Sequence, residues 1–454
     1  ILWVAVGYSL CFSGGAGGII GDLDNAFLRG IGINELYPDL DIPVLLFVVY
    51  QMMFAVITPA LITGAFAGRI TFKAYLIFLV GWQLFVYFPF VHMIWGGGML
   101  ADWGVLDFAG GIVVHALAGM AALASVMYVG SRKDQDEAVH NVPFVALGAA
   151  LLWFGWFGFN AGSALAAGGA AGMAMTGTPI SAAPAALTWT AIEWIRFGKP
   201  TLVGIATGAI AGLAAVTPAS GFIGPEGGLA IGFTSGALCY FASTAVKKRF
   251  AYDDSLDVVG VHGVGGFIGV VMVAFFASES LGGVGYPEGV TMRDQLKAQL
   301  IGGGVTIVYT LVASIAVFWV IDKTVGLRVS EADEEQGLDL AEHADLLIGT
   351  DPHEPYRIRC TVMRHRLAEA LQRSAAGYGS PAELAADLEH LDRSLRSHGG
   401  SLLADGRLTR VRRILAMVGF HFAALDIREH AERHHEALSG MFEAIGVDYA
   451  VFDR

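Results

Sequence analysis

The sequence predicts an all-α fold, a polytopic transmembrane helix bundle followed by a charged helical tail, and three observations carry that prediction. First, 55% of the 454 residues are hydrophobic and only 15% are charged, with a mean hydropathy of +0.58. That is too apolar for an ordinary soluble protein of this length. Second, the charge is unevenly spread: residues 1–330 hold 14 Lys/Arg and 19 Asp/Glu, whereas the much shorter stretch 331–454 holds 14 and 22. Third, apolar runs long enough to cross a hydrocarbon core, roughly 20 helical residues for ~30 Å, recur along the first part. They fall at 42–66, 74–94, 107–130, 141–164, 170–195, 201–217, 227–246, 257–277 and 298–321, with a partial run at 1–12. The runs are continuous rather than alternating, which selects helices over a barrel. Three segments follow: a membrane domain over 1–330, a junction over 331–354, and a tail over 355–454.

Loop charge gives the orientation, because short cytoplasmic loops collect Lys and Arg. One alternate set of loops carries Arg69, Lys73, Arg132, Lys133, Arg196, Lys199, Lys247, Lys248, Arg249, Lys323 and Arg328, and the other carries Arg29, Arg293 and Lys297. The expected topology places 67–73, 131–140, 196–200, 247–256 and the whole tail in the cytoplasm of a cell-membrane protein. Net charge is −13, and neither part holds a basic patch of the kind nucleic acid requires. Cys11, Cys239 and Cys360 follow no metal or disulfide spacing and read as isolated thiols. Glycine is abundant at 60 residues, much of it inside spans, as in Gly265-x-x-x-Gly269. Small residues let helix backbones approach in lipid, and packing accounts for most of them.

Ionisable groups within spans are functional candidates, since one near the bilayer centre costs about 2.5–3.5 kcal/mol or more. His115, in DFAGGIVVHALAGM, and His262, in DVVGVHGVGGF, both lie inside apolar spans. A single such histidine reads equally well as a satisfied core residue. A pair is different, because two imidazoles can hold one proton between them while passing a small polar molecule. Each also has an aspartate eight residues upstream, Asp107 and Asp254, the kind of offset an internal repeat with a midplane site leaves behind. Trp95 ends a span in VHMIWGGGML and is compatible with an interfacial belt residue or with a ring offered to a cation. His92, Phe54 and Phe159, taken alone, read as packing.

Taken with VHMIWGGGML, DFAGGIVVHALAGMAAL, WFGWFGFNAGSAL, GKPTLVGIATGAIAGLAAVTPASGFIGP, DVVGVHGVGG, SLGGVGYPEGVTM and GLRVSEADEEQGLDLAEH, the stretch from Ile1 to about His343 resembles the ammonium transporters of the Amt type, relatives of the Rhesus proteins. The resemblance implies a homotrimer in which each subunit encloses a pore built from two inverted five-span repeats plus a long final helix. It also implies that His115 and His262 are twin pore histidines and that Phe54 and Phe159 form a stacked gate. Phe54, Trp95 and Ser163 would recruit ammonium at an outer site, and Asp107 would support that site. No cofactor or metal is implied, and a PII-type regulator is an expected partner at the cytoplasmic face. The family begins with a further span and has a longer second one. Since Ile1 falls inside an apolar run with no initiator Met, the chain is expected to be truncated by about one and a half helices.

The tail carries a second resemblance. EPYRIRCTVMRHRLAEAL, ADGRL and GFHFAALDIR, within 355–445, are similar to an internal stretch of phosphoenolpyruvate carboxylase. In that family the arginine of the DIR motif, here Arg428, meets the substrate's anionic end. His430, His434 and His435 read as a solvated helix face rather than a metal set, for want of matching carboxylates. The carboxylase's catalytic histidine region and glycine-rich loop have no counterpart, so the tail is expected to be a helical fragment without enzymatic activity. The function expected is ammonium transport, with an ammonium sensor coupled to a cytoplasmic domain as the alternative.

Overall fold

Each of the nine expected spans is helical in the computed structural model of the chain, which describes residues 1–15, 17–132, 141–331, 334, 363, 366–367, 378–397, 405 and 408–418. A first helix, α1 (Trp3–Phe12), precedes α2 (Val44–Ala65), α3 (residues 72–95), α4 (Gly111–Val129), α5 (Val142–Gly162), α6 (Gly169–Phe197), α7 (Leu202–Val216), α8 (Pro225–Phe250), α9 (Val259–Phe276) and α10 (Met292–Val325). Among the described residues seven helices are both long and apolar enough to cross a membrane; α7 has only 15 residues, and α6, at 29, is diluted by Gly, Ser, Thr and Glu193. The chain divides into two compact units, 1–335 and 336–454. The first is a multi-pass membrane bundle with no named strand among the described residues.

Two boundaries differ from expectation for physical reasons. Helix α10 begins six residues earlier than its apolar run, because Thr291 and Asp294 form a reciprocal capping box over a polar first turn. Helix α4 begins at Gly111 rather than near 107, because residues 104–110 are not helical although they are largely buried. Irregular backbone at such depth survives only if protein groups satisfy it. Here Gln299 of α10 does so: its Oε1 accepts from the Leu106 N–H at 2.7 Å, and its Nε2 donates to the Leu106 carbonyl at 2.8 Å. Gln295 donates to the Gly104 carbonyl at 2.8 Å, and the Phe108 N–H donates to the Pro218 carbonyl.

Asp107 then starts α4. Its Oδ1 accepts from the N–H groups of Gly110 and Gly111 at 2.9 and 2.6 Å, and its Oδ2 from Ile112 and Val113 at 2.8 and 3.0 Å. One carboxylate thus covers the donors that a helix N-terminus leaves open. Gly110 turns the chain at φ +113°, where an L side chain is strained. The second half repeats the pattern. Asp254 accepts from the Val259 N–H at 2.8 Å, and Asp257, three residues on, stands at φ +53° where Gly110 stands in the first half. In both halves the histidine follows in a π-helical turn, Gly111–Ala116 or Val259–Gly263. Such turns are frequent at functional sites.

Helices α4 and α9 meet backbone to backbone. A Cβ added to Gly119 would run into the Gly263 Cα and N, and one added to Gly266 would press on the Gly111 carbonyl and the His115 side chain. Of the Gly265-x-x-x-Gly269 pair, Gly269 lies tight against the Ala215 carbonyl of α7. At the end that the charge rule assigns to the cytoplasm, Arg69 is fully buried. It donates to the carbonyls of Gly130 (2.6 Å), Asp253 (2.9 Å) and Ala65, and stands 3.3 Å from the Asp253 carboxylate. One guanidinium therefore ties the end of α2, the end of α4 and the approach to α9. Burial alone would raise the Asp253 pKa. The bonds from the Arg132 side chain and backbone and the charge of Arg69 outweigh it and hold the carboxyl below its ordinary value.

In the second unit, Pro381–Ser397 (α11) and Thr409–Val418 (α12) are described, and Leu384 and Leu388 pack with Met363 and Tyr378. Arg366 lies 4.0 Å over the Tyr378 ring, and Arg396 bridges Asp392 and Asp405. Cys360, Arg428, His430, His434 and His435 lie outside the described residues, as do most of 331–354.

Three outcomes follow. Gly119→Val should drive a branched side chain into the Gly263 backbone and lower stability by about 1–3 kcal/mol or more, read as a lower thermal midpoint in detergent. Asp107→Asn should lose the acceptor capacity of one atom over four N–H donors and cost ~3 kcal/mol, with Asp254→Asn costing less; equal costs would refute this account of the caps. Because the folded pKa of Asp253 is depressed, its contribution is complete above the unfolded value of about 3.9 and disappears as pH falls through the lower one. The thermal midpoint should therefore drop as pH falls below about 4, and Asp253→Asn should flatten that drop.

Candidate functional site

The two histidines predicted to face a pore come together. His115, 1% exposed, and His262, 8% exposed, approach with their Nδ1 atoms 3.2 Å apart and their rings inclined by 18°. At that distance one Nδ1 donates and the other accepts, so the pair holds one proton between its inner nitrogens. The Nε2 of His115 has no protein partner and is buried.

Around them the aromatic residues form a continuous chain. The Phe159 ring lies 5.8 Å from His115, Phe54 lies 4.7 Å from Phe159, and Trp95 lies 5.5 Å from Phe54, edge to face. Trp95 is oriented by its indole N–H, which donates to the Asp107 carbonyl at 2.8 Å. Asp107 thus starts the helix of one histidine through its side chain and fixes Trp95 through its backbone. Ser163 caps α5; its hydroxyl donates back to the Phe159 carbonyl at 2.9 Å. That bond leaves the Ser163 oxygen able to accept a further hydrogen bond. All six residues expected along a substrate path, Phe54, Trp95, Phe159, Ser163, His115 and His262, therefore lie in one connected group.

His92 is elsewhere. It is buried, and its Nδ1 donates to the Cys11 carbonyl at 3.0 Å, tying α3 to α1. Cys11 and Cys239 are buried free thiols.

Two residues at the site escaped the sequence reading. Trp156 stacks on His115 at 5.3 Å with the rings inclined by 20°, and donates its indole N–H to Thr217 at 2.9 Å. Its spacing of three from Phe159 puts both on one face of α5, a signal available in WFGWFGF. Tyr50 packs on Phe54 at 5.2 Å, and its hydroxyl sits 2.9 Å from the Phe159 carbonyl and 3.1 Å from the Ser163 hydroxyl. It lies four residues before Phe54, one turn away.

Comparison with known proteins places this geometry. The model of the Ammonium Transporter Family matches residues 1–347. The ammonium transporter of Aquifex aeolicus is 45% identical over 350 residues, covering 76% of this chain and 81% of that protein. Among solved structures, Saccharomyces cerevisiae Mep2 superposes with a TM-score of 0.66 at 34% identity, covering 72% of this chain and 76% of that one. A protein described as a Sensor Amt Protein does so at 0.68 and 32%, covering 75% and 86%. The phosphoenolpyruvate carboxylase model matches residues 305–454. That match starts inside α10, earlier than the sequence reading placed it, and overlaps the first. With its family match running through every membrane helix and the paired histidines at their crossing, the chain belongs to the ammonium transporter family.

Proposed function

We propose that the membrane unit conducts ammonium across the bilayer as ammonia, past His115 and His262. The observation that carries this reading is the Nδ1-to-Nδ1 pair lying directly beneath the aromatic row. The names of the relatives support the substrate.

The chemistry runs from the outer end inward. A monovalent cation reaching Trp95 and Phe54 exchanges part of its hydration shell for ring faces, and the Ser163 oxygen supplies an acceptor. Moving the intact cation deeper into a site walled by Phe, Val and Ala meets the full desolvation penalty. Ammonium escapes that penalty by giving its proton to water at the entrance before ammonia moves on; sodium and potassium have none to give. Acidity is thus the selectivity filter. The Phe54 and Phe159 rings close the entrance and part to admit a neutral molecule. Beyond them the histidine pair offers one Nε2 that donates and one that accepts, because the Nδ1 atoms consume the other valences. Ammonia, itself both donor and acceptor, finds partners of each kind.

The orientation set by loop charge puts the aromatic end outside, the face of Arg69 and Arg328 in the cytoplasm, and the chain in the cell membrane. On the family pattern the unit assembles as a homotrimer and offers its cytoplasmic face to a PII-type regulator. The tail is read as a non-enzymatic helical appendage. The sensor alternative is not favoured, because the curated relatives, at 42–45% identity, are named as transporters, whereas the solved structure named as a sensor is matched at 32%.

Cells relying on this chain should take up methylammonium. His115→Asp should change the current or the ammonium-to-potassium selectivity by tenfold or more, since one lost discriminating hydrogen bond in a dry site is worth about 1–3 kcal/mol. Unaltered uptake and selectivity in that variant would sink the role given to the pair. Deleting residues 345–454 should leave uptake intact; loss of signalling with uptake spared would support the sensor instead.

A further inference from the structure

Trp95 takes its place from the irregular segment that precedes α4. Its indole N–H donates to the Asp107 carbonyl at 2.8 Å, and its ring edge lies over Gly110, where an added Cβ would stand 3.4 Å from the ring carbon Cη2. Its own chain does little to brace it on the other side, because Gly96, Gly97 and Gly98 follow at once and carry no side chains. The setting of this ring therefore depends in large part on what holds residues 104–110, which form no helix.

Gln299, fully buried in α10, is the main hold on that segment. Its Oε1 accepts from the Leu106 N–H at 2.7 Å and from Gln295 Nε2 at 3.2 Å, while its Nε2 donates to the carbonyls of Leu106 at 2.8 Å and of Val270 in α9 at 3.0 Å. Two bonds accepted and two donated saturate a carboxamide. Gln51 and Gln83, also within spans, each leave an Oε1 without a partner among the described residues. Because Leu106 is held at both its N–H and its carbonyl, the peptide planes on either side of it are fixed. The next plane carries the Asp107 carbonyl that Trp95 meets.

We propose that Gln299 is a positioning residue for the cation site at Trp95: from the last helix, through Leu106 and Asp107, it sets the indole ring and so the affinity with which ammonium or a small alkylammonium ion is taken up. This rests on the reading of Trp95 and Phe54 as the entrance. A ring attracts a cation when its face stands within about 6 Å of the charge, so a ring that tilts or slides loses the attraction without being removed. Other side chains do not reproduce the amide. Leucine leaves the N–H and carbonyl of Leu106 unpaired, and an ionised glutamate keeps the acceptor but gives up both donors. Neither His115 nor His262 is among the four partners of Gln299, so the effect belongs to the entrance and not to the histidine pair.

The test is a double-mutant cycle on the full chain, read as the concentration of methylammonium that half-saturates uptake and, separately, as the maximal rate. Gln299→Leu should raise the half-saturating concentration about threefold to tenfold and leave the maximal rate within about twofold. Trp95→Leu should raise it as well, and in that background Gln299→Leu should add nothing, since the two act through one ring. Gln299→Glu, which keeps the acceptor for the Leu106 N–H, should give a smaller rise, and it carries the test if the leucine variant fails to fold. A maximal rate that falls at unchanged half-saturation, or effects of Gln299 and Trp95 that multiply independently, would overturn the proposal while leaving the entrance intact. An unchanged half-saturation in Trp95→Leu alone would instead remove the entrance site itself, and this inference with it.

Discussion

The membrane unit is organised around one backbone-to-backbone contact, the crossing of α4 and α9 at Gly119 and Gly263. The two histidines come from helices separated by more than a hundred residues of chain, and imidazole side chains are short. For their Nδ1 atoms to reach 3.2 Å, the two helix axes have to approach more closely than any pair of side chains larger than hydrogen permits. Glycine at both faces of the crossing meets that demand, and lipid supplies no hydrophobic force that would otherwise draw two helices together. The packing glycines and the paired histidines are therefore parts of one arrangement.

A second constraint follows from the first. Helices α4 and α9 begin at buried positions, next to Asp107 and Asp254, and helix beginnings expose N–H groups that the bilayer does not satisfy. The two halves answer similarly: an aspartate eight residues before the histidine accepts those donors, and a positive-φ residue three positions later turns the chain. The irregular segment before α4 needs more, and α10 supplies it through Gln295 and Gln299. The final helix thus does more than seal the bundle. Its two buried amides give residues 104–108 the hydrogen bonds that water would give in a soluble protein.

These two constraints explain what was legible in the sequence. The nine spans were readable because the signal for each is summed over some twenty residues, and the aspartate–histidine offset was readable because charges in a membrane stand out singly. The roles of Phe54, Trp95, Phe159 and Ser163 came from family resemblance, since an aromatic residue in an apolar span is unremarkable alone. Trp156 and Tyr50 were passed over for the same reason, although both sit one helical turn from a residue already singled out. Gln295 and Gln299 were missed differently. An uncharged amide in a span is nearly as anomalous as a charge, and their spacing of four marks one face. What they satisfy lies nearly two hundred residues away, and no local pattern reveals it. The late start of α4 has the same origin, because hydropathy does not register that a buried apolar segment is unwound.

The paired arrangement also fixes how two buried imidazoles share their hydrogen bonds. A lone imidazole in an apolar lumen presents two nitrogens, one donor and one acceptor, and each left empty carries a desolvation penalty of about 1–3 kcal/mol. Two imidazoles sharing a proton through Nδ1 satisfy each other on the inner side and leave one free donor and one free acceptor, both at Nε2. The pair therefore leaves no more unsatisfied nitrogens than a single imidazole would, and it places the donor and the acceptor on separate rings. The stacking of Trp156 on His115, with its own N–H fixed on Thr217, adds a rigid wall that keeps that ring in the plane the contact requires.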